Sequence, residues 1–289
     1  MPEGDTVWLT ARRLDQALAG RALTRAELRV PQLATTELAG ETVREVRSRG
    51  KHILTRLESG TTLRSHLRMD GSWRIVRTGA RWTGGPAHAV RAVLGNPDWE
   101  CVGFRVHDLA VVPTAEEHTL VGHLGPDLLG PDWDPVEAER RLREQPEREI
   151  GSALLDQRNL AGIGNMYMAE LLFLRGIDPW RPVGEVADVP ALLRLAHRVL
   201  MRNREAPSQA TTTGRRGDPE HWVYLRGAKP CQRCGTLLRG DLQGTGAQAR
   251  TTYWCPTCQP AGRPDLPAPE PAGAAHRRPQ TDSRQAPRS

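Results

Sequence analysis

The chain has 289 residues, a formal net charge of +6 at pH 7 and 38% hydrophobic residues. It is long enough for roughly two domains with real cores. A mean hydropathy of −0.53, with no run near the ~20 apolar residues that cross a bilayer, excludes a helical membrane protein and implies no membrane partner.

The acidic start Met1-Pro2-Glu3-Gly4-Asp5 has no basic stretch ahead of an apolar one, so no secretory segment is read there. Residues 4–19 follow as an amphipathic helix, because Val7, Ala11, Leu14 and Leu18 step by four, three and four along one face. From Ala22 to about Pro113 short alternating runs separated by turns predict a β-rich domain, a sandwich or flattened barrel. Its candidate strands are Val43–Arg47, Ile53–Leu57, Trp73–Val76, Ala89–Leu94, Val102–Val106 and Leu109–Val112. A second region opens near Gly125. Asp134-Pro135 supplies an N-cap and a first-turn proline for a helix to about Arg143. Further helices are expected over 149–157 and 166–175, the latter entered through the turn Leu160-Ala161-Gly162-Ile163-Gly164-Asn165. Asp188 caps a long helix through Asn203. The glycine-bearing loop Thr211–Asp218 reads as mobile, and the Pro- and Arg-rich stretch 260–289 as a disordered tail.

Two cysteine pairs, Cys231-Gln232-Arg233-Cys234 and Cys255-Pro256-Thr257-Cys258, stand twenty residues apart. Four soft ligands at this spacing suit a tetrahedral zinc ion, each pair wrapping one edge, and Tyr253-Trp254 lead into the second pair as in a β-hairpin pinned at its base. The alternative is a pair of disulfides, which the expected reducing cytoplasm disfavours.

Basic residues are unevenly spelled. Of 40 lysines and arginines only Lys51 and Lys229 are lysines, a skew that GC-rich codon usage would also produce. In such a chain Lys51, in Arg49-Gly50-Lys51-His52, is the cation to watch, because a deprotonable amine or compact point charge differs from a guanidinium.

Met1-Pro2-Glu3-Gly4, Gly50-Lys51 in a strand turn, Leu160–Asn165 after a helix and a four-cysteine finger occur in one order. Together they resemble the formamidopyrimidine-DNA glycosylase/endonuclease VIII family of base-excision repair enzymes, over residues 1 to about 259, and the endonuclease VIII branch in particular. The resemblance implies an α+β fold: an N-terminal helix and β-sandwich over 1–114, a helix-two-turn-helix domain over 125–228 and a zinc-finger hairpin over 229–259. It implies damaged double-stranded DNA as the partner and one structural zinc ion; the lack of a secretory segment gives a cytoplasmic, nucleoid-associated protein as the expectation, and nothing in the sequence suggests an oligomer, so a monomer is expected.

The same resemblance assigns roles. Once Met1 is removed, Pro2 presents a secondary amine that attacks a sugar carbon and forms an iminium. A generic α-amine, with a pKa of ~7.8 against ~10.4 for lysine, is neutral at pH 7 roughly a few hundredfold more often. Glu3 is the proton donor. The acid expected three positions after it is replaced by Thr6, with Asp5 a partial substitute. Lys51 contacts phosphate and assists elimination, and Asn165 binds a phosphate at a helix N-terminus, where a plain helix cap is the other reading. His66-Leu67-Arg68-Met69-Asp70-Gly71 matches an intercalation loop in which Met69 fills the void left by a flipped nucleotide and Arg68 touches DNA. His123 and Arg226 are further backbone contacts. Arg250, expected in the turn of the finger hairpin, engages the phosphates around the lesion.

The expected activity is therefore a bifunctional glycosylase with β,δ-elimination. Oxidised pyrimidines are favoured over purines, because Phe104-Arg105-Val106-His107 lacks the Arg-x-Phe-Gly pattern of the purine branch. A catalytically inactive DNA-binding zinc protein and an RNA-binding zinc-ribbon module are the rivals from other classes.

Overall fold

The structure is a computed structural model that describes residues 2–206, 208–212, 219–246 and 249–260. Residues 213–218 of the loop expected to be mobile, and 261–289 of the expected tail, lie outside the described residues. Among the described residues no helix is long and apolar enough to cross a membrane.

Helix α1 (Gly4–Leu18) buries the predicted face of Val7, Ala11, Leu14 and Leu18. It stops where Gly20 takes a left-handed φ of 73°. Eight strands follow: β1 (Arg25–Leu28), β2 (Val43–Arg49), β3 (His52–Leu57), β4 (Thr61–His66), β5 (Ser72–Arg77), β6 (Val90–Gly95), β7 (Trp99–Phe104) and β8 (Asp108–Pro113). They form two antiparallel four-stranded sheets, ordered β1-β6-β7-β5 and β2-β3-β4-β8. The first core lies between them and under α1. Leu28, Trp73, Leu94 and Cys101 of one sheet meet Val46, Ile53, Leu57 and Leu63 of the other, with the apolar stripe of α1 packed against both. Burial of this kind contributes roughly 25 cal/mol per Å² of apolar surface.

Two of these strands, β1 and β4, are absent from the sequence-based expectation. In β4 two of the buried positions are Thr62 and Ser65, so the apolar alternation that announces a strand is missing. Both hydroxyls are satisfied: Thr62 Oγ1 lies 2.9 Å from Thr114 Oγ1, and the Trp73 indole N–H donates to Ser65 Oγ at 3.3 Å.

The helical region holds α2 (His118–Val121), α3 (Pro135–Arg143), α4 (Ile150–Leu155), α5 (Asn165–Arg175) and α6 (Val189–Asn203). The short α2 was not expected. Asp134 and Asp188 cap α3 and α6 as expected, each accepting from backbone N–H groups of the first turn. Helix α5 is buried from Asn165 through Phe173 and forms the axis of the second core. Its C-terminus closes on Gly176, whose φ of 66° any side chain would strain.

The finger hairpin pairs β9 (Arg239–Gln243) with β10 (Arg250–Trp254). It docks on the helical region through an edge-on contact of Trp254 with Trp180, ring centroids 4.6 Å apart, and through Ala169, Phe173, Val223 and Leu238.

Candidate active site and four-thiol centre

The turn 160–164, which enters α5, is the point on which the candidate residues converge. Gly162 has φ +112°, and its carbonyl accepts from the Gly4 N–H at 2.9 Å. The approach is so close that a Cβ at Gly4 would lie 2.9 Å from the Gly162 Cα. This contact carries Glu3 into the interior. Its carboxylate accepts backbone N–H groups from Gly164 at 2.7 Å, Met166 at 2.8 Å and Tyr167 at 3.3 Å. Glu3 begins α1 yet serves the N-terminus of a different helix, where the α5 dipole favours negative charge. A Cβ at Gly164 would fall 2.5 Å from the Glu3 Cδ, so glycine is required there by space.

Burial is the dominant influence on Glu3 and pushes its carboxyl above the ordinary range. Lys51 and the N–H groups of Met166 and Gly164 pull it down, and Asp5 adds to the rise. A carboxyl that keeps its proton to higher pH suits a general acid. Pro2, half-buried, immediately precedes it.

Lys51 arrives from the β2–β3 turn. Gly50 there has φ +56°, and its N–H donates to Asp127 Oδ2 at 2.7 Å. Lys51 Nζ donates to the carbonyl of Ile163 in the 160–164 turn, which Gln157 Nε2 also reaches at 2.9 Å. Burial lowers the amine's proton affinity, opposed by the charge of Glu3.

Asn165 is the first residue of α5, whose N-cap is Gly164. It does not cap the helix through its side chain. Its Nδ2 donates to the Thr251 carbonyl on β10 at 2.8 Å, while its Oδ1 is buried without a hydrogen-bond partner among the described residues. The helix entrance and the finger strand are thereby tied together next to Arg250.

The segment expected to intercalate forms the β4–β5 turn. Met69 is 65% exposed at its tip, not packed in a core. Arg68 adopts φ +53°, uncommon for a residue with a side chain. Its guanidinium binds Asp108 Oδ2 at 2.6 Å, and Arg64 takes the other oxygen of the same carboxylate. Arg105, also at φ +53°, brings the β7–β8 loop to Asp70 at 3.7 Å. His123 is exposed in the turn after α2. Arg226 donates to the carbonyls of Trp222 and Pro230, an intramolecular use of its guanidinium.

The four cysteines of the finger come together as one cluster, their Sγ atoms all within 4.8 Å of one another. No disulfide forms. Cys234 and Cys255 are 3.5 Å apart and Cys231 and Cys258 4.0 Å, against the ~2.05 Å of an S–S bond. The N–H groups of Arg233 and Cys258 point at Cys231 and Cys255 Sγ, each at 3.4 Å. Such a donor set suits a soft or borderline metal ion. The structure corrects one expectation: Arg250 is not in the hairpin turn but is the first residue of β10, paired with Gln243. The pairing of the hairpin closes at Gln243 and Arg250, so the strand begins at Arg250 itself.

Several residues at the site escaped sequence reasoning. Glu170, fully buried in α5, accepts N–H groups from Trp222, Val223 and Tyr224 at 2.7–2.8 Å and fixes the chain entering the finger. A lone acid within the apolar run Met166–Phe173 was the available signal. Gln243, on β9, donates to Glu149 and to the Pro179 carbonyl and accepts from Thr252. Tyr167 carries both a main-chain contact with Glu3 and a side-chain contact with Asp5. Nothing in the local sequence marks either of these two.

Residues 1–125 match the formamidopyrimidine-DNA glycosylase N-terminal domain, and residues 124–212 the formamidopyrimidine-DNA glycosylase H2TH domain. A Streptomyces coelicolor protein named probable endonuclease 8 2 is 57% identical over 282 residues, which cover 97% of this chain and all of that protein. The DNA-(apurinic or apyrimidinic site) lyase Nei2 of Mycolicibacterium smegmatis is 44% identical, covering 90% of this chain and all of the relative. Endonuclease 8 of Escherichia coli is 31% identical with the same coverage. Among solved structures, the Lactococcus lactis formamidopyrimidine-DNA glycosylase bound to DNA containing an abasic site superposes with a TM-score of 0.74, at 24% identity over 90% of this chain and all of that one, a likeness of fold. With relatives this close over nearly its whole length, the chain belongs to the formamidopyrimidine-DNA glycosylase/endonuclease VIII family.

Proposed function

We propose that the protein is a base-excision repair DNA glycosylase with AP-lyase activity, acting on oxidised bases, preferentially pyrimidines, in double-stranded DNA. The observation that carries this reading is Glu3: a buried carboxyl with raised proton affinity, adjacent in sequence to Pro2 and sharing one turn with Lys51. The Pro2 amine attacks C1′ of the damaged nucleoside, and Glu3 donates a proton to the departing base or the opening sugar ring. The bond to the base breaks as the C1′–N bond to proline forms, the amine losing its proton; the C1′–O4′ bond then breaks with O4′ taking up a proton, which leaves an iminium. Loss of the C2′ proton then expels the 3′ phosphate by β-elimination, and δ-elimination expels the 5′ phosphate.

Lys51, Asn165 and Arg250 supply phosphate contacts, with Arg68, His123 and Arg226 as further DNA contacts and Met69 as the wedge. The exposure of Met69 and the left-handed backbone of Arg68 support the wedge. Cys231, Cys234, Cys255 and Cys258 would hold one structural zinc ion, which supplies rigidity and no chemistry. Work divides among the sandwich (1–114), the helix-two-turn-helix domain (125–228) and the finger (229–259), in a monomer of the cytoplasm and nucleoid. Preference for pyrimidines rests on the Met-Pro-Glu-Gly start, the missing Arg-x-Phe-Gly pattern and the endonuclease 8 names of the relatives.

Borohydride trapping tests the reading. The unmodified protein is expected to form a covalent adduct with an abasic duplex and with duplexes carrying thymine glycol or 5-hydroxyuracil, and more slowly with 8-oxoguanine. Pro2→Gly should lose the adduct. Absence of any adduct from the unmodified protein overturns the assignment, and faster reaction with 8-oxoguanine overturns the preference.

A further inference from the structure

Behind Glu3 lies a second buried carboxylate that the proposed chemistry does not use. Asp5, 2% exposed in the first turn of α1, accepts on both oxygens: from the Tyr167 hydroxyl at 2.6 Å and from Gln209 Nε2 at 2.7 Å. The Tyr167 hydroxyl also accepts from Asn203 Nδ2 at 2.9 Å. Its single proton is therefore directed at Asp5. The same tyrosine gives its backbone N–H to Glu3 Oε2. One residue is thus held at its main chain by Glu3 and at its tip by Asp5, in a site where water cannot compete for either contact. Thr6, by contrast, brings no acid to this position; its carbonyl accepts from Thr10 Oγ1 at 2.7 Å.

The titratable groups facing Glu3 are Lys51 from the β2–β3 turn, Asp5 from its own helix, Tyr167 from α5 and Tyr224 from the segment ahead of the finger. Asp5 is the only like charge among them. We propose that Asp5 is a positioning residue for proton donation by Glu3, acting through Tyr167 to hold the Glu3 carboxyl in its seat. Its negative charge, close by on the same helix, also opposes loss of the Glu3 proton. The proposal rests on the glycosylase reading and deepens it. Two neutral partners, Gln209 and Asn203, complete the seat without adding charge.

The test uses the full chain and two variants, Asp5→Asn and Tyr167→Phe, singly and combined. Single-turnover base release is followed across pH on a duplex carrying 5-hydroxyuracil, and borohydride trapping is followed on an abasic duplex. Removing the Asp5 charge makes the Glu3 proton easier to lose. The alkaline limb of the base-release profile should therefore move measurably to lower pH. Tyr167→Phe should slow base release by roughly tenfold on the acid plateau, where the double variant should be no slower than the slower single one because both act there through one contact, while the pH shift of Asp5→Asn should persist in the double variant. The abasic adduct should still form in all three, since an open aldehyde has no base left to expel.

An unmoved pH profile in Asp5→Asn overturns the proposal and leaves the glycosylase reading standing. An unmodified protein that gives neither base release nor adduct overturns both, and one that traps abasic DNA without releasing any base overturns the proposal while the lyase stands. Loss of the adduct in Asp5→Asn marks damage to the fold. Tyr167→Phe then decides, and base release at the unmodified rate overturns the proposal.

Discussion

Glu3 and Lys51 carry the side chains of any protein surface, but burial shifts their proton affinities in opposite directions, carboxyl up and amine down. Burial disfavours the charged form of each, and the charge of the other opposes that effect in both. The same physics acts on His52 and His66, register partners on β3 and β4 whose rings lie 4.8 Å apart. Burial is the first cause in both, reinforced for His52 by His66 and Arg64 and for His66 by Arg68, Lys51 and Arg64, with Asp108 opposing. His52 is lowered to about 3 and His66 to about 4. Both imidazoles are then neutral in the folded protein at neutral pH, while the unfolded chain protonates near 6.5. Stability from this pair is present above that value and is lost as pH falls from about 6.5 through the folded values. His52→Phe keeps a ring against His66 and removes one titration. Its urea-unfolding stability should fall less steeply than that of the unmodified protein between pH 6 and pH 4, and parallel curves would refute the assignment.

At the scale of elements, periodicity and capping were legible. Helix α1, the Asp134 and Asp188 caps and six of the eight sandwich strands follow directly from residue patterns. Strand β4 was not legible because its buried hydroxyls look polar in sequence and become acceptable only through partners on other elements, Thr114 beyond β8 and Trp73 on β5. The residues of the Leu160–Asn165 turn were visible, but not what its glycines are for. Gly164 has an ordinary negative φ of −122°, so backbone freedom does not explain it; the Glu3 carboxylate 161 residues away does. This gives a direct prediction. Gly164→Ala places a methyl 2.5 Å from the Glu3 Cδ, and neither the helix start nor the end of α1 can move freely. The variant should lose about 1–3 kcal/mol of stability, as overpacked sites do, and should release base far more slowly than it reacts with an abasic duplex. Thermal unfolding with the two single-turnover rates checks both parts. Equal slowing of the two rates would mean that Glu3 is not what the methyl displaces.

For the whole molecule, the finger is bound to the helical region from several sides at once. Trp254 meets Trp180, Gln259 Nε2 donates to the Ile177 carbonyl at 2.8 Å, Gln243 reaches Glu149 and Pro179, and Glu170 holds 222–224. What these contacts position is β10, whose Thr251 carbonyl meets Asn165 and whose first residue is Arg250. The four thiols gather at the base of the hairpin, Cys231 and Cys234 ahead of β9 and Cys255 and Cys258 after β10, and sit far in sequence from Pro2 and Glu3. Loosening them should therefore remove a phosphate grip while the amine survives. Cys234→Ser, at the most exposed of the four thiols, or treatment with a zinc chelator should weaken binding to an abasic duplex by at least about tenfold. Each lost phosphate contact should also make the salt dependence shallower by about 0.9 in log–log slope. At saturating DNA the borohydride adduct should still accumulate, because Pro2 is untouched. A Cys234→Ser protein with the unmodified affinity and slope would separate the finger from the DNA grip, and one that binds normally but gives no adduct would place the thiol centre in the chemistry itself.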